Sequence, residues 1–253
     1  MSNEVRLFAV VVRTINKFLP RMLEENRVTL AYLITGIIGS KAVQLRQVAG
    51  KVVYPGKETS LVERFRRFLQ NKNILVKVEF NPFVGLILAG LSQTRLVFAL
   101  DSTKVGGGCI CRSVERSRRS LLVSVVYKSR ALPVCWVVFK GRKGHSSAQI
   151  QLALMETLKT LLPTDREIIL LGDGEFDGSV LVAWFEQHTT GHYVCRAAKS
   201  ILIYYQGKWV ALADLDLAEG EETFLTNIEF TQSGQVAGLN ILVIWNKKEK
   251  EHW

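Results

Sequence analysis

The sequence predicts an α/β protein of the mixed α+β type in three parts: helices over residues 1–92, strands and helices over residues 93–199, and a β-rich stretch over residues 200–253. Three observations support this prediction. Apolar residues recur at helical spacing in the first part. Continuous apolar runs alternate with helical patterns in the second, and short apolar runs flank turn signals in the third. We expect the domain boundaries at these points.

The composition is that of a folded protein with a large core, because the chain has 253 residues and is 48% hydrophobic. Its longest apolar run covers residues 83–91, far short of the roughly 20 residues that span a bilayer. The N-terminus lacks the basic start of a signal peptide. Four cysteines do not make a disulfide scaffold in a chain of this size. We therefore expect a cytoplasmic protein that has no membrane partner.

The net charge of +10 is distributed unevenly along the chain. Residues 1–90 hold 14 Lys and Arg against 6 Asp and Glu, and residues 91–145 hold 11 against 2. Residues 146–253 hold 8 against 15. A basic excess confined to one part of a chain favours a polyanion as partner. The alternative is a solvated basic face that has no partner.

One helix of the N-terminal part carries three arginines. Ser60 and Glu63 form a capping box, which predicts that this helix begins at Ser60. Arg64, Arg66 and Arg67 follow within its next turns. Short helices joined by a turn, with arginines on the second, favour a compact DNA-binding unit of the helix-turn-helix kind. A basic helical bundle without this function is the alternative.

Two apolar strands each lead into an aspartate. Residues 96–100 precede Asp101, and residues 167–172 precede Asp173. Continuous apolar runs predict strands buried on both faces, and α/β sheets form their sites beyond the carboxyl ends of such strands. Two carboxylates there are suitable ligands for Mg²⁺. The alternative is that each Asp caps the helix or turn that follows it.

The elements between and after these aspartates complete a recognisable order. Residues 121–127 and 132–140 form a hairpin, and Ser147 caps the next helix. A helix over residues 179–188 and a strand over residues 193–197 follow the second aspartate. Three strands, a helix, a strand, a helix and a strand make the ribonuclease-H-like arrangement. Four arginines lie close together beside the expected metal site, namely Arg112, Arg116, Arg118 and Arg119. Two further basic residues, Arg142 and Lys143, follow the hairpin.

The last part of the chain follows a different pattern. Residues 201–205 and 209–212 flank one turn signal, and residues 223–230 and 239–245 flank another. We expect a small β-rich insertion here rather than a continuation of the central sheet.

Four stretches together resemble the DDE transposases of bacterial insertion sequences, in the group whose ribonuclease-H-like core carries a β-strand insertion. They are residues 64–69 of the arginine helix, residues 99–103 around Asp101, residues 130–136 of the hairpin, and residues 171–177 around Asp173. The resemblance covers nearly the whole chain. It implies binding of double-stranded DNA at transposon ends, association with the nucleoid when bound, and a homodimer on DNA.

The resemblance also implies a catalytic and metal-binding role for Asp101 and Asp173. Members of the family hold two Mg²⁺ or Mn²⁺ ions with three carboxylates and use them for DNA strand cleavage and transfer. It further implies that the arginines and the lysine named above contact DNA.

The chain departs from the family pattern at the third carboxylate. That residue is a Glu on a helix that follows the insertion, and the sequence has no counterpart to it. Glu175 and Asp177 do not match the motif, and Glu249 and Glu251 lack the Tyr/Arg-rich signature. We therefore expect a C-terminally truncated transposase that is inactive as given. The alternatives are a DNA-binding remnant that inhibits the full-length enzyme, and a ribonuclease-H-like nuclease.

Overall fold

The computed structural model describes residues 3–105, 117–141, 146–215, 217–231, 236–246 and 251–252. The fold is mixed α+β, and the described residues form seven α-helices and two β-sheets, which confirms the predicted class. The chain divides into two compact units, Met1–Ile87 and Leu88–Trp253. The finer division into three domains stays a prediction.

The first 90 residues are helical. Two hydrophobic clusters hold these helices together. Ile15, Leu19, Met22 and Ala31 centre one of them, and Phe65 lies in the other without exposed surface. The helices are α1 (Asn3–Phe18), α2 (Glu24–Ser40), α3 (Leu45–Ala49), α4 (Glu58–Leu69) and α5 (Val76–Gly90).

Helices α2 and α3 approach each other closely at Gly36. A Cβ atom on Gly36 would lie 2.5 Å from the Val48 carbonyl oxygen and 2.6 Å from Val48 Cγ1. Only glycine allows this contact, so the second cluster depends on it.

The expected capping box is wrong. Helix α4 begins at Glu58, and Lys57 at its N-cap makes no side-chain hydrogen bond to it, so Ser60 lies inside the first turn. Glu58 near the positive end of the helix dipole favours the earlier start.

The first sheet has the strand order β3-β2-β1-β4-β5. Strand β1 pairs antiparallel with β2 and parallel with β4, β2 pairs antiparallel with β3, and β4 pairs parallel with β5. The chain order of strands and helices is the predicted one. The elements are β1 (Arg95–Lys104), β2 (Ser117–Tyr127), β3 (Arg130–Gly141), α6 (Ala148–Lys159), β4 (Glu167–Gly172), α7 (Ser179–His188) and β5 (His192–Cys195).

The central strand β1 is fully buried on one face only, which corrects the expectation of burial on both. Leu96, Phe98 and Leu100 are at most 3% exposed, whereas Val97 and Ala99 between them are half-buried. Alternation of this kind follows from the pleat, because successive side chains point to opposite faces. Helices α6 and α7 pack against strands of this sheet.

The second sheet has the order β10-β9-β8-β6-β7 and is antiparallel throughout. Gln206 and Gly207 both have positive φ angles, 51° and 83°, as a two-residue hairpin turn requires. None of the described helices is long and apolar enough to cross a bilayer. The strands are β6 (Leu202–Tyr205), β7 (Lys208–Ala211), β8 (Glu222–Phe230), β9 (Val236–Asn246) and β10 (Glu251–His252).

Candidate functional site

Asp101 and Asp173 occupy neighbouring positions on adjacent strands. Leu100 of β1 is paired with Gly172 of β4 in parallel register, and the two aspartates are the next residues along each strand. Neighbouring strands lie about 4.8 Å apart, and both aspartates are exposed. The fold therefore brings these two carboxylates together at the carboxyl end of β4, beside the inner strand β1.

The two aspartates differ in their backbone setting. Strand β4 ends at Gly172, immediately before Asp173, as the sequence pattern predicts. Strand β1 instead continues to Lys104, because β2 pairs with it beyond Asp101, and Asp101 itself is paired with Leu122. Asp101 thus lies on a hydrogen-bonded strand, and Asp173 opens a loop.

The loop that follows β4, residues 173–178, begins with a turn that Asp173 itself stabilises. Its Oδ1 atom accepts a hydrogen bond from the Glu175 amide at 3.0 Å, and its carbonyl accepts one from the Phe176 amide at 3.0 Å. Asp173 therefore caps the turn through Oδ1, as the alternative interpretation of the sequence expects. Its Oδ2 atom makes no hydrogen bond within the described part of the chain, which leaves it open to a ligand.

Glu175 and Asp177 fasten this loop to the rest of the unit. Glu175 Oε1 accepts hydrogen bonds from the Ser146 amide at 3.0 Å and from the Ser146 hydroxyl at 2.8 Å. Asp177 Oδ2 accepts one from the Ala198 amide at 2.9 Å. These two carboxylates are engaged in positioning the loop, whereas Asp101 and Asp173 face solvent.

Tyr193 and Gly172 lie on the other side of the loop, and the sequence patterns indicate a role for neither residue. The Tyr193 hydroxyl donates a hydrogen bond to the carbonyl of the fully buried Phe176 at 2.6 Å. A Cβ atom on Gly172 would lie 2.8 Å from that hydroxyl. Tyr193 is paired with Leu170 of β4. The apolar pattern of residues 193–197 predicts a strand that contains Tyr193, but it gives no information about the contact with the loop.

Burial and nearby charge keep Tyr193 and Cys195 uncharged. Burial raises the pKa of the Tyr193 hydroxyl far above its ordinary value, and the negative surroundings raise it further. Burial, together with Asp177, raises the pKa of the Cys195 thiol to about 11. Near neutral pH both side chains are therefore neutral parts of the loop support.

Asp101 and Asp173, at the carboxyl end of β4, fit one divalent cation better than two. Two exposed carboxylates provide hard oxygen ligands, which Mg²⁺ and Mn²⁺ accept together with several waters. In the part of the chain that the structure describes, no group of three or more His, Cys, Asp or Glu side chains is arranged to hold a metal. Asp101 and Asp173 are the residues that would hold an ion here.

The three arginines of α4 have different surroundings. Arg64 donates from Nε to Thr29 Oγ1 at 2.7 Å and from Nη2 to the Glu25 carbonyl at 3.1 Å. Arg66 forms an exposed ion pair with Glu63 on its own helix. Arg67 is exposed and lines a cleft beside α2. The structure thus separates residues that the sequence analysis grouped together.

Two of the basic residues that were expected near a metal site, Arg118 and Arg119, lie on β2 and face opposite sides of the sheet. Arg118 is exposed, whereas Arg119 is 5% exposed and donates hydrogen bonds to Ser102 Oγ at 3.2 Å and to the Ser102 carbonyl at 2.9 Å. Strand alternation explains the difference, and Arg119 acts here as a link between β1 and β2. The remaining expected DNA contacts, Arg112, Arg116, Arg142 and Lys143, lie outside the described residues.

Comparisons of the sequence and the structure with known proteins do not identify a family for this chain. No family model matches the sequence, and no curated protein matches it. One of the solved structures that match is the crystal structure of the Mos1 strand transfer complex, at 12% identity and a TM-score of 0.27. The match covers 66% of this chain and 58% of that one, which is under two thirds of its length. A similarity this low carries no conclusion about fold or function.

Proposed function

We propose that this chain is a DDE-type transposase of an insertion sequence, with a ribonuclease-H-like core and a β-rich insertion. The observation that carries the proposal is the placement of Asp101 and Asp173 one residue beyond a paired position on two parallel neighbouring strands. The strand order, with two antiparallel strands on one side of β1 and two parallel strands on the other, supports it. Two unrelated polar residues would meet there only by chance.

In this proposal the residues of the chain bind the divalent ion and orient the DNA. Asp101 is fixed by strand pairing and Asp173 by a loop that Glu175, Asp177 and Tyr193 hold in place. The pre-organised carboxylates would hold Mg²⁺ or Mn²⁺ without rearrangement of the backbone. A bound divalent ion supplies Lewis acidity and an activated water or hydroxyl for phosphodiester chemistry. Basic residues of the first 145 positions would position the DNA, except Arg66, whose charge is paired with Glu63.

Among the described residues, the proposed site brings together two of the three carboxylates that this chemistry uses. A second ion would lack an anionic ligand, so the clamp on the attacking and leaving oxygens would be incomplete. A polypeptide of residues 1–253 is therefore expected to bind transposon-end DNA but to show little or no cleavage.

A cleavage assay on duplexes that carry the transposon ends, with Mg²⁺ or Mn²⁺, tests this proposal. Residues 1–253 should give little product. The same chain extended in cis by a segment that carries the missing Glu should cleave, and Asp101→Asn should abolish that cleavage. An extended chain that folds and binds the duplex but does not cleave would refute the transposase function. Strong cleavage by residues 1–253 alone would refute the incomplete site.

The charge distribution favours a second candidate function. The whole basic excess lies in residues 1–145. In this second function the chain occupies transposon ends without cleaving them and thereby inhibits the complete enzyme. Addition of residues 1–253 to an active transposase would then lower its cleavage in proportion to end occupancy. No such inhibition at saturating occupancy would exclude this role.

A further inference from the structure

A cleft of about 510 Å³ lies between α2 and α4 in the first unit. Its lining is mostly polar. Six of the lining side chains carry hydrogen-bond donors: Asn26, Tyr54, Ser60, Arg64, Arg67 and Asn71. One carboxylate, that of Glu25, also lines it. Two guanidinium groups against one carboxylate leave the cleft with a net positive charge.

Arg64 is held in place before any ligand arrives. Its Nε donates to Thr29 Oγ1 and its Nη2 to the Glu25 carbonyl, while the Thr29 hydroxyl donates to the same carbonyl at 2.6 Å. A guanidinium fixed in this way loses little conformational entropy when it binds a further acceptor. The positive charge of Arg64 is therefore held at a fixed position in the cleft before a ligand binds.

Arg67 lies three residues further along α4, on the same side of the helix as Arg64. It is exposed and lines the same cleft. No hydrogen bond or ion pair joins its guanidinium to a residue of the described part of the chain. Arg66, by contrast, is paired with Glu63 and does not line the cleft. Among the arginines of α4, Arg67 alone both lines the cleft and has a guanidinium group that makes no hydrogen bond or ion pair with the described residues.

We propose that this cleft binds a phosphate group of the DNA backbone, with Arg67 as the direct contact and Arg64 as the fixed second cation. Guanidinium forks and neutral amide and hydroxyl donors are the groups that recognise phosphate oxygens. The proposal rests on the DNA binding proposed above and locates one contact of it. The net charge of the first 90 residues, +8, favours a polyanion over a free phosphate ion as the source.

Duplex binding by matched arginine variants tests the proposal. Affinity for a duplex is measured by fluorescence anisotropy over a series of salt concentrations, for the wild-type chain, Arg67→Ala and Arg66→Ala. Arg67→Ala should weaken binding roughly five- to tenfold and reduce the salt slope by about one. Arg66→Ala, which removes a charge from the same helix outside the cleft, should stay within about twofold. Equal effects of the two variants, or no effect of Arg67→Ala, would overturn the proposal.

A second measurement separates the two sources of phosphate. The amide signals of Asn26, Ser60 and Asn71 are followed by NMR with inorganic phosphate and with the duplex. At duplex concentrations that saturate all three chains, the shifts should be of similar size in wild type and in Arg66→Ala and clearly smaller in Arg67→Ala. Shifts with inorganic phosphate alone, together with wild-type duplex affinity in Arg67→Ala, would overturn DNA as the source. A wild-type chain that binds no duplex would instead refute the proposed function. The shifts with inorganic phosphate would then show by themselves whether the cleft binds a phosphate group.

Discussion

At the scale of single residues, the absence of a side chain at position 172 is what allows the loop after β4 to sit where it does. Gly172 precedes Asp173, and its carbonyl accepts a hydrogen bond from the Arg196 amide at 3.3 Å. The Tyr193 hydroxyl and the Phe176 Cβ would lie 2.8 and 3.1 Å from an added methyl group. Accommodating such a group would require that the Tyr193–Phe176 hydrogen bond shift.

We predict that Gly172→Ala lowers the free energy of unfolding by about 1–3 kcal/mol, because the added atom overpacks a closed site. Gly174→Ala is the matched control in the same loop. Its nearest contact would be the Arg196 carbonyl at 3.6 Å, which is ordinary packing, so the loss should be clearly smaller. The measurement is the urea midpoint at constant slope. An equal loss in both variants would show that the loop tolerates no side chain for reasons other than Tyr193.

At the scale of elements, Arg64 joins α2 to α4 through two hydrogen bonds across 35 and 39 residues of sequence. We predict that Arg64→Ala destabilises the protein by about 1–3 kcal/mol, since Thr29, 4% exposed, loses a partner when the guanidinium is removed. Arg66→Ala removes only an exposed ion pair and should change stability by less than about 0.5 kcal/mol. Urea denaturation of both variants checks this, and similar values would mean that Arg64 is a surface charge.

The same elements show what the sequence could and could not predict. The order of strands and helices and the end of β4 before Asp173 follow from apolar runs and turn signals, which are local, whereas the continuation of β1 past Asp101 depends on its pairing with β2. The partial burial of β1, the Glu175–Ser146 link and the different surroundings of Arg64 and Arg119 depend on contacts between distant residues. Local patterns carry no information about such contacts, so these features emerged only with the fold.

At the scale of the whole molecule, residues 1–145 are basic and residues 146–253 are acidic. In the proposed function the basic part attracts DNA, and one aspartate from each part, Asp101 and Asp173, holds a cation. The two properties are linked because phosphate repulsion by the carboxylates is relieved only when a divalent ion is bound. The expected homodimer on DNA stays a prediction.

The central claim is that Asp101 and Asp173 share one divalent ion. The direct measurement is Mn²⁺ affinity, followed by calorimetry and by the electron paramagnetic resonance signal of free Mn²⁺, for wild type, Asp101→Asn and Asp173→Asn. Asp165→Asn is the control, because Asp165 is exposed and precedes the opposite end of β4. Each site variant should weaken binding at least roughly tenfold, with Asp165→Asn unchanged. Wild-type affinity in either Asp101→Asn or Asp173→Asn would contradict the shared site.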